Sequence, residues 1–199
     1  MSTIRKHQMP DPALVHPEVI APQTRMQKAF GYVAAATRLS LGWVFLWAFL
    51  DKTFALGFAT GTDPETGAVD RFGDAAWING GSPTEGFLAF GTEGKVFHDF
   101  FASFAGAAWA DWLFMLGLLG IGLALVLGIG MRIAAASGTL LLVAMWVASL
   151  PLENNPFMDD HIIYALVLAM LALAGAGHTL GLGKQWEKVP FVARNGWLK

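Results

Sequence analysis

The sequence predicts an all-α integral membrane protein, a bundle of four transmembrane helices with both termini in the cytoplasm. Three observations support this prediction. The chain is 55% hydrophobic and only 14% charged, it contains four apolar stretches of about 20 residues, and its basic residues collect on one side of those stretches. Its mean hydropathy of +0.50 lies above that of ordinary soluble domains. A lipid bilayer is therefore the first expected partner.

The four apolar stretches cover residues 36–56, 109–131, 133–151 and 161–180. Each is long enough to cross the hydrocarbon core at a helical rise of ~1.5 Å per residue. A turn around Met131 and Arg132 is expected between the second and the third.

The same pattern divides the chain into a membrane domain with two tails. We expect a cytoplasmic N-terminal tail over residues 1–29, a four-helix membrane domain over 30–183, and a cytoplasmic C-terminal tail over 184–199. Between the first and second spans runs a long loop, residues 57–108. One domain suffices, because no polar segment is long enough to bury a core of its own.

The placement of lysine and arginine gives this bundle a direction. Cytoplasmic loops retain basic residues during membrane insertion. One side of the predicted bundle carries Arg5, Lys6, Arg25, Lys28, Arg132, Lys184, Lys188, Arg194 and Lys199. The other side carries most of the acidic residues. We therefore expect a prokaryotic plasma-membrane protein with its long, acidic loop outside.

Four phenylalanines in the outer loop predict an amphipathic surface helix. Phe97, Phe100, Phe101 and Phe104 follow an i, i+3, i+4, i+7 spacing, which places them on one face of a helix. Such a helix would lie flat on the outer surface with its phenyl rings toward the lipid. The alternative is that these residues form the first turns of a long second span.

Small residues in the second span predict close helix packing. Gly117, Gly120, Ala124 and Gly128 fall within one narrow arc. A helix face of small side chains lets a neighbouring backbone approach closely.

Composition also excludes several kinds of site. The chain has no cysteine, which removes disulfides, thiol nucleophiles and cysteine-ligated clusters. A net charge of −2 gives no reason to expect a nucleic-acid partner. His161 and His178 are separated by about 25 Å of helix, so they cannot ligate one haem. We therefore predict no haem and no metal within this chain alone.

Charged residues inside the first span are the most informative functional signal. A charge within a bilayer is unfavourable by on the order of 3 kcal/mol, so it requires a partner or a path to water. Arg38 and Lys52 share one face of this helix, whereas Trp47, Asp51 and Phe54 form an aromatic and acidic face beside it. The alternative for the two cations is snorkelling to opposite interfaces.

A second polar group stands at the outer start of the fourth span. Asp159, Asp160 and His161 come together there, and Tyr164 follows one turn deeper. An aspartate before a helix is often simply its N-cap. The functional alternative is proton exchange with a quinone, because quinol chemistry moves protons with electrons and histidine titrates near neutral pH. His98 could join this group from the surface helix.

Three segments resemble the DoxX/DoxD family of four-helix membrane proteins. They are Arg38-Leu39-Ser40-Leu41-Gly42-Trp43-Val44-Phe45-Leu46 followed by Lys52, then Gly81-Ser82-Pro83-Thr84-Glu85-Gly86-Phe87-Leu88, and then residues 174–183. DoxD is the quinone-facing membrane subunit of thiosulfate:quinone oxidoreductase. The resemblance implies a redox context with a quinone. The acidic outer surface disfavours a thiosulfate dianion electrostatically.

These observations leave three functional hypotheses. The first is an oxidoreductase subunit that binds a quinone near the outer face. Its catalytic groups would be Asp51, Asp160, His161 and Tyr164, and its cofactor-binding groups Arg38, Trp47, Lys52, Phe54 and His98. The second is a non-catalytic accessory subunit of a larger respiratory or redox complex, and the third, less attractive without a visible repeat, is a small transporter. A membrane or extracytoplasmic redox protein is the expected partner, and a homo-oligomer stays open.

Overall fold

The structure is a computed structural model that describes residues 24–199. Within that range the α-helices are α1 (Arg25–Phe54), α2 (His98–Ala102), α3 (Ala108–Leu127), α4 (Met131–Ala148), α5 (Asp160–Leu173), α6 (Gly183–Trp186) and α7 (Pro190–Arg194). The described residues contain no β-strand beyond a single antiparallel bridge between Thr62 and Val69. Arg5 and Lys6 of the predicted N-terminal tail lie outside the described residues.

Three helices are long and apolar enough to cross a membrane: α1, α3 and α4. The fourth, α5, is apolar but has only 14 residues. It ends at Leu173, and the rest of the predicted fourth span forms the 3-10 turn Ala176–His178 and further turns. The predicted all-helical membrane protein is thus confirmed at the level of fold class.

Helix α1 begins earlier than the predicted first span, because a polar capping box starts it. The Thr24 hydroxyl accepts a hydrogen bond from the Gln27 amide at 3.2 Å, and the Gln27 side chain accepts one from the Thr24 amide at 2.8 Å. This reciprocal pair satisfies two amides at the start of the helix. The last residues of the predicted tail are therefore helical, although they are polar.

The turn between α3 and α4 lies before the residues predicted to form it. Gly128 and Gly130 both adopt left-handed backbone conformations, with φ of 71° and 58°. Glycine ends helices in this conformation because it has no Cβ to clash. Met131 and Arg132 are consequently the first residues of α4, which corrects the predicted turn.

The long helices pack as two pairs. Helix α1 packs mainly on α3, and α4 packs mainly on α5, while α3 and α4 join the pairs. Helix α1 meets α5 over only a small area. The core between them consists of aliphatic and aromatic side chains, among them Leu41, Phe45, Met115, Leu118, Ile121, Leu125, Leu142, Leu168 and Leu171.

Gly42 and Gly122, rather than the predicted Gly117 and Gly120, allow α1 and α3 to pack closely. A Cβ added to Gly122 would lie 2.7 Å from Leu46 Cγ and 3.0 Å from the Leu46 backbone nitrogen. Gly42 is similarly close to the side chain of Leu125. By contrast, a Cβ on Gly120 would meet nothing within 4 Å in the described chain, and one on Gly117 only a methyl group at 3.9 Å. Within the described residues, Gly120 therefore packs against no neighbouring helix.

The phenylalanine-rich segment of the outer loop forms only a short helix. Helix α2 has five residues, and a turn through Gly106 with φ of 71° separates it from α3. The alternative of one continuous second span is therefore wrong. Phe100 is exposed, whereas Phe101 and Phe104 are half-buried.

The two ends of the bundle differ in charge. At one end the C-terminal segment folds back on α4, because the Arg132 amide donates to Lys199 O at 2.9 Å and its guanidinium donates to Gly196 O at 2.7 Å. The first turns of α1, with Lys28, face Lys184 at the same end. The outer loop with most of the acidic residues lies at the other end.

The glycine packing generates the first testable prediction. We expect Gly122→Ala to lower the melting temperature in detergent, because the added methyl group forces α1 and α3 apart, at a cost of about 1–3 kcal/mol. Gly120→Ala, on the same helix, is the matched control, since it makes the same change in helix propensity without a steric neighbour. Equal melting temperatures for the two variants would contradict the packing described here.

Candidate functional site

Arg38 lies fully buried at the basic end of the bundle and is engaged by backbone carbonyls. Its Nη1 donates to the carbonyls of Leu125 and of Val126, the latter at 3.0 Å. Its Nη2 donates to Leu180 O at 2.8 Å and to Thr179 O at 3.4 Å. The guanidinium thus satisfies the last carbonyls of α3 and fastens the segment after α5 to that helix end.

The other predicted groups of the first span lie at the opposite end. Arg38 and Asp51 are separated by about 20 Å along α1 at ~1.5 Å per residue. A ligand in contact with Lys52 is therefore out of reach of Arg38. The single cationic stripe predicted from the sequence divides into two separate environments.

Asp51 is buried and closes the loop that follows α1. Its Oδ1 accepts from the Phe58 amide at 3.1 Å and its Oδ2 from the Ala59 amide at 2.9 Å. Each carboxylate oxygen thereby holds a charge-assisted bond to the backbone. The chain leaves the helix end through a left-handed Ala55, with φ of 50°.

Trp47 and Phe54 pack on this returning loop. The Trp47 ring lies edge-on to Phe58 at a centroid distance of 5.0 Å. The Phe54 ring packs against Phe72 at 5.9 Å. Both aromatic residues therefore stabilise the loop, as aromatic pairs in tilted or edge geometries do.

Lys52 faces a different space, a cavity of about 370 Å³ beside the predicted outer loop, named the outer cavity after that loop. Its walls come from the end of α1, the outer loop, α3 and α4, and are almost wholly apolar. They include Phe87, Phe101, Phe104, Trp109, Phe114 and Met145. Among the described residues that line it, Lys52 alone carries a charge, and no ion pair or hydrogen bond is found for its ammonium group within residues 24–199.

The wall of the outer cavity depends on Asp111, which the sequence analysis did not single out. This buried carboxylate accepts from the hydroxyls of Ser82 at 2.8 Å and Thr84 at 2.6 Å, and from the Thr84 amide at 3.2 Å. Asp111 lies in the first turn of α3, so these bonds tie the outer loop to that helix. The feature of the sequence that could have identified Asp111 is its position as an acidic residue at the start of an apolar span.

His98 contacts the same cavity wall indirectly, through Thr92 and Leu88. Its Nδ1 lies 2.9 Å from the hydroxyl of Thr92, and that hydroxyl donates to Leu88 O at 2.8 Å. The Thr92 hydroxyl can donate to Leu88 O and accept from His98 Nδ1 at the same time when the ring carries its hydrogen on Nδ1. Leu88 lines the outer cavity and His98 does not.

The polar group on α5 forms its own cluster. Asp159 is the N-cap of the helix, because its Oδ1 accepts from the Ile162 amide at 3.3 Å, which confirms the capping alternative. Its Oδ2 lies 2.7 Å from His161 Nδ1, and Asp160 approaches the same nitrogen at 3.7 Å. Tyr164 is half-buried against the core.

The structure therefore does not gather all the predicted residues around one ligand. Asp159 borders a second outer cavity of about 280 Å³ together with Lys95 and Glu153. None of the residues that line the outer cavity with Lys52 belongs to α5. Of the predicted site residues, Lys52 is the one that reaches an apolar space of ligand size.

Comparison with protein-family models, with curated proteins and with solved structures gives no match to this chain.

The role of Asp111 generates the second prediction. We expect Asp111→Ala to free the loop at Ser82 and Thr84, because three hydrogen bonds to one carboxylate are lost. The amide of Thr84 should then exchange with deuterium at least ~10-fold faster, as expected when a buried bond to a charged group is removed. Asp99→Ala, an exposed acid in the same half of the protein, is the control, and the same exchange rate in both variants would contradict the anchoring role.

Proposed function

We propose that this chain is a four-span, DoxX/DoxD-like membrane subunit that binds a quinone in the outer cavity, near the extracytoplasmic face. The observation that supports this most directly is Lys52, an ammonium group without an ion pair among the described residues, set in an otherwise apolar and aromatic cavity. Such a cavity with one polar contact matches an apolar ring that carries a carbonyl oxygen.

The fourth span of this proposal consists of α5 and the turns that follow it. Asp159 starts α5 at the acidic end, and His178 lies beyond it at the basic end, beside Lys28. Helix α5 alone accounts for about 21 Å at ~1.5 Å per residue, so residues 174–180 complete the crossing of a ~30 Å core. Arg38 holds this non-helical part against protein, where irregular backbone is tolerated.

The charge difference between the two ends supports the orientation. The basic end would face the cytoplasm and the acidic loop the outside, as the distribution of lysine and arginine favours. The quinone site would then lie in the outer leaflet of a plasma membrane.

In this proposal the quinone enters from the lipid. Trp109 and Leu113 line the cavity and are exposed on the outward side of α3, so the opening would face the hydrocarbon. The ring would pack among Phe101, Phe104 and Trp109, and the Lys52 ammonium would donate a hydrogen bond to one quinone oxygen. That bond strengthens as negative charge develops on the oxygen during reduction.

The proposed reaction needs a partner. Reduction of a quinone to a quinol takes up two electrons and two protons. The chain has no cysteine to hold an iron–sulfur cluster, so an extracytoplasmic redox protein would supply the electrons, and the protons would come from water at the outer end. Asp51, Asp160, His161 and Tyr164 remain predictions as proton-transfer groups, and they lie outside the lining of the cavity.

The quinone site generates the third prediction. We expect Lys52→Gln to weaken binding of a short-chain quinone to the purified protein by about 10-fold, the typical effect of losing a hydrogen bond from a charged donor. Ala144→Phe should abolish binding, because Ala144 lines the cavity and the added ring fills it. Titration of the purified variants with the quinone measures both effects.

Two matched controls accompany these variants. Lys95→Gln removes another lysine at the outer end, and Ala136→Phe adds the same ring to an exposed site on α4; both should retain the affinity of the unmodified protein. If Lys52→Gln and Ala144→Phe also retained it, the outer cavity would not be the quinone site. A chain that binds no quinone at all would favour the accessory-subunit role.

The orientation generates the fourth prediction, which uses the absence of cysteine from the natural sequence. Single cysteines at Asp74 in the outer loop and at Lys188 in the C-terminal segment would be labelled in intact cells with a membrane-impermeant maleimide. We expect Asp74→Cys to react and Lys188→Cys to react only after lysis. The reverse pattern would overturn the proposed orientation.

A further inference from the structure

A second large cavity opens at the basic end of the bundle, far from Lys52. It has a volume of about 840 Å³ and lies between the first turns of α1 and the segment that follows α5. Polar side chains line it from both sides, including Gln27, Lys28, His178, Thr179 and Lys184. This cavity contains none of the residues assigned to the quinone site.

Among residues 24–199, the two lysines that line this basic-end cavity have no acidic partner. Lys28 and Lys184 have no carboxylate within 4.0 Å in the described part of the chain. The nearby carboxylate, Glu187, accepts a hydrogen bond from His178 Nε2 or pairs with it at 2.8 Å. The carbonyls that end α5 are also occupied, because Met170 O accepts from the Ala174 amide at 2.8 Å and Ala172 O from Gly175 at 3.2 Å.

The length of α1 places this cavity at the depth of lipid headgroups. The helix has 30 residues, about 45 Å at ~1.5 Å per residue, whereas the hydrocarbon core is ~30 Å thick. With the Lys52 end of α1 at the outer boundary of the core, its first turns extend beyond the inner boundary. Lys28 then lies among the headgroups of the inner leaflet.

The apolar surroundings indicate a lipid rather than a free anion. Phe30, Tyr32 and Leu180 line the cavity and are exposed, and the neighbouring Leu173 is 89% exposed. These side chains continue from the polar cavity along the flank of the bundle toward the core. An amphiphile with an anionic head and two acyl chains matches a polar cavity that continues into an apolar surface. A soluble phosphate would leave the apolar surface uncovered.

We infer that the cavity between the start of α1 and residues 174–184 binds an anionic phospholipid, with Lys28 and Lys184 on its phosphate group. Each lysine near such a headgroup contributes on the order of a 5-fold increase in affinity. The inference uses the position of α1 across the bilayer and does not depend on a quinone. A bound lipid would also join the start of α1 to the segment around Leu180, whose carbonyl accepts a hydrogen bond from Arg38.

The test measures binding of phosphatidylglycerol and phosphatidylcholine to the full-length protein by native mass spectrometry from detergent. We expect a preference for phosphatidylglycerol, and the double variant Lys28→Gln/Lys184→Gln should lose at least ~10-fold of that affinity. The control is Lys188→Gln/Arg194→Gln, which removes the same charge from the same end but outside the cavity lining. It should retain the affinity within about 2-fold, because diffuse attraction falls off with distance.

Three outcomes would overturn the inference. Equal losses in the two double variants would indicate attraction by surface charge alone. No preference for phosphatidylglycerol in the unmodified protein would exclude a headgroup site. Displacement of the bound lipid by millimolar inorganic phosphate would indicate a soluble anion site, because a lipid held by both its head and its chains resists a competitor that replaces only the head.

Discussion

The buried guanidinium of Arg38 satisfies carbonyls from two segments that are distant in sequence, and it joins these segments at the basic end of the bundle. It reaches the last turn of α3 and the chain after α5, and the small area between α1 and α5 offers little other contact there. Gly128 and Gly181 make room for it, since a Cβ on either would lie 3.0–3.1 Å from its Nη atoms. A hydrophobic residue in place of Arg38 would leave the carbonyls of Val126 and Leu180 without this donor, and a lipid bilayer offers no water to replace it.

Two aspartates perform the corresponding role at the acidic end. Asp51 turns the chain back after α1, and Asp111 fastens the Ser82-Pro83-Thr84 segment to α3. Both are buried carboxylates whose hydrogen bonds come from backbone amides or hydroxyls of the described residues. With the loop fixed on both sides, the apolar wall around Lys52 is formed by residues from four parts of the chain.

The bundle therefore has a lysine-lined cavity at each of its two ends. Lys52 faces a cavity with almost wholly apolar walls, whereas Lys28 and Lys184 line a cavity whose walls are polar and apolar in similar measure. An ammonium group without a hydrogen bond in an apolar cavity suits the proposed quinone carbonyl, and a pair of ammonium groups suits the phosphate of the proposed lipid. The difference in the surroundings, not in the residue type, separates the proposed ligands.

Sequence alone determined the helical membrane class, because long apolar stretches leave few alternatives in a bilayer. It also offered an aspartate N-cap for α5 as one of two alternatives, because capping is local. It could not place the start of α1, where the helix is polar, nor distinguish Gly122 from Gly120, which depends on the rotation of α3 against α1. Only the tertiary structure gave Arg38 its carbonyl partners and Lys52 its apolar cavity, because the groups around each residue come from other parts of the chain. For the same reason the sequence did not reveal the role of Asp111, whose hydrogen-bond partners lie in a distant loop.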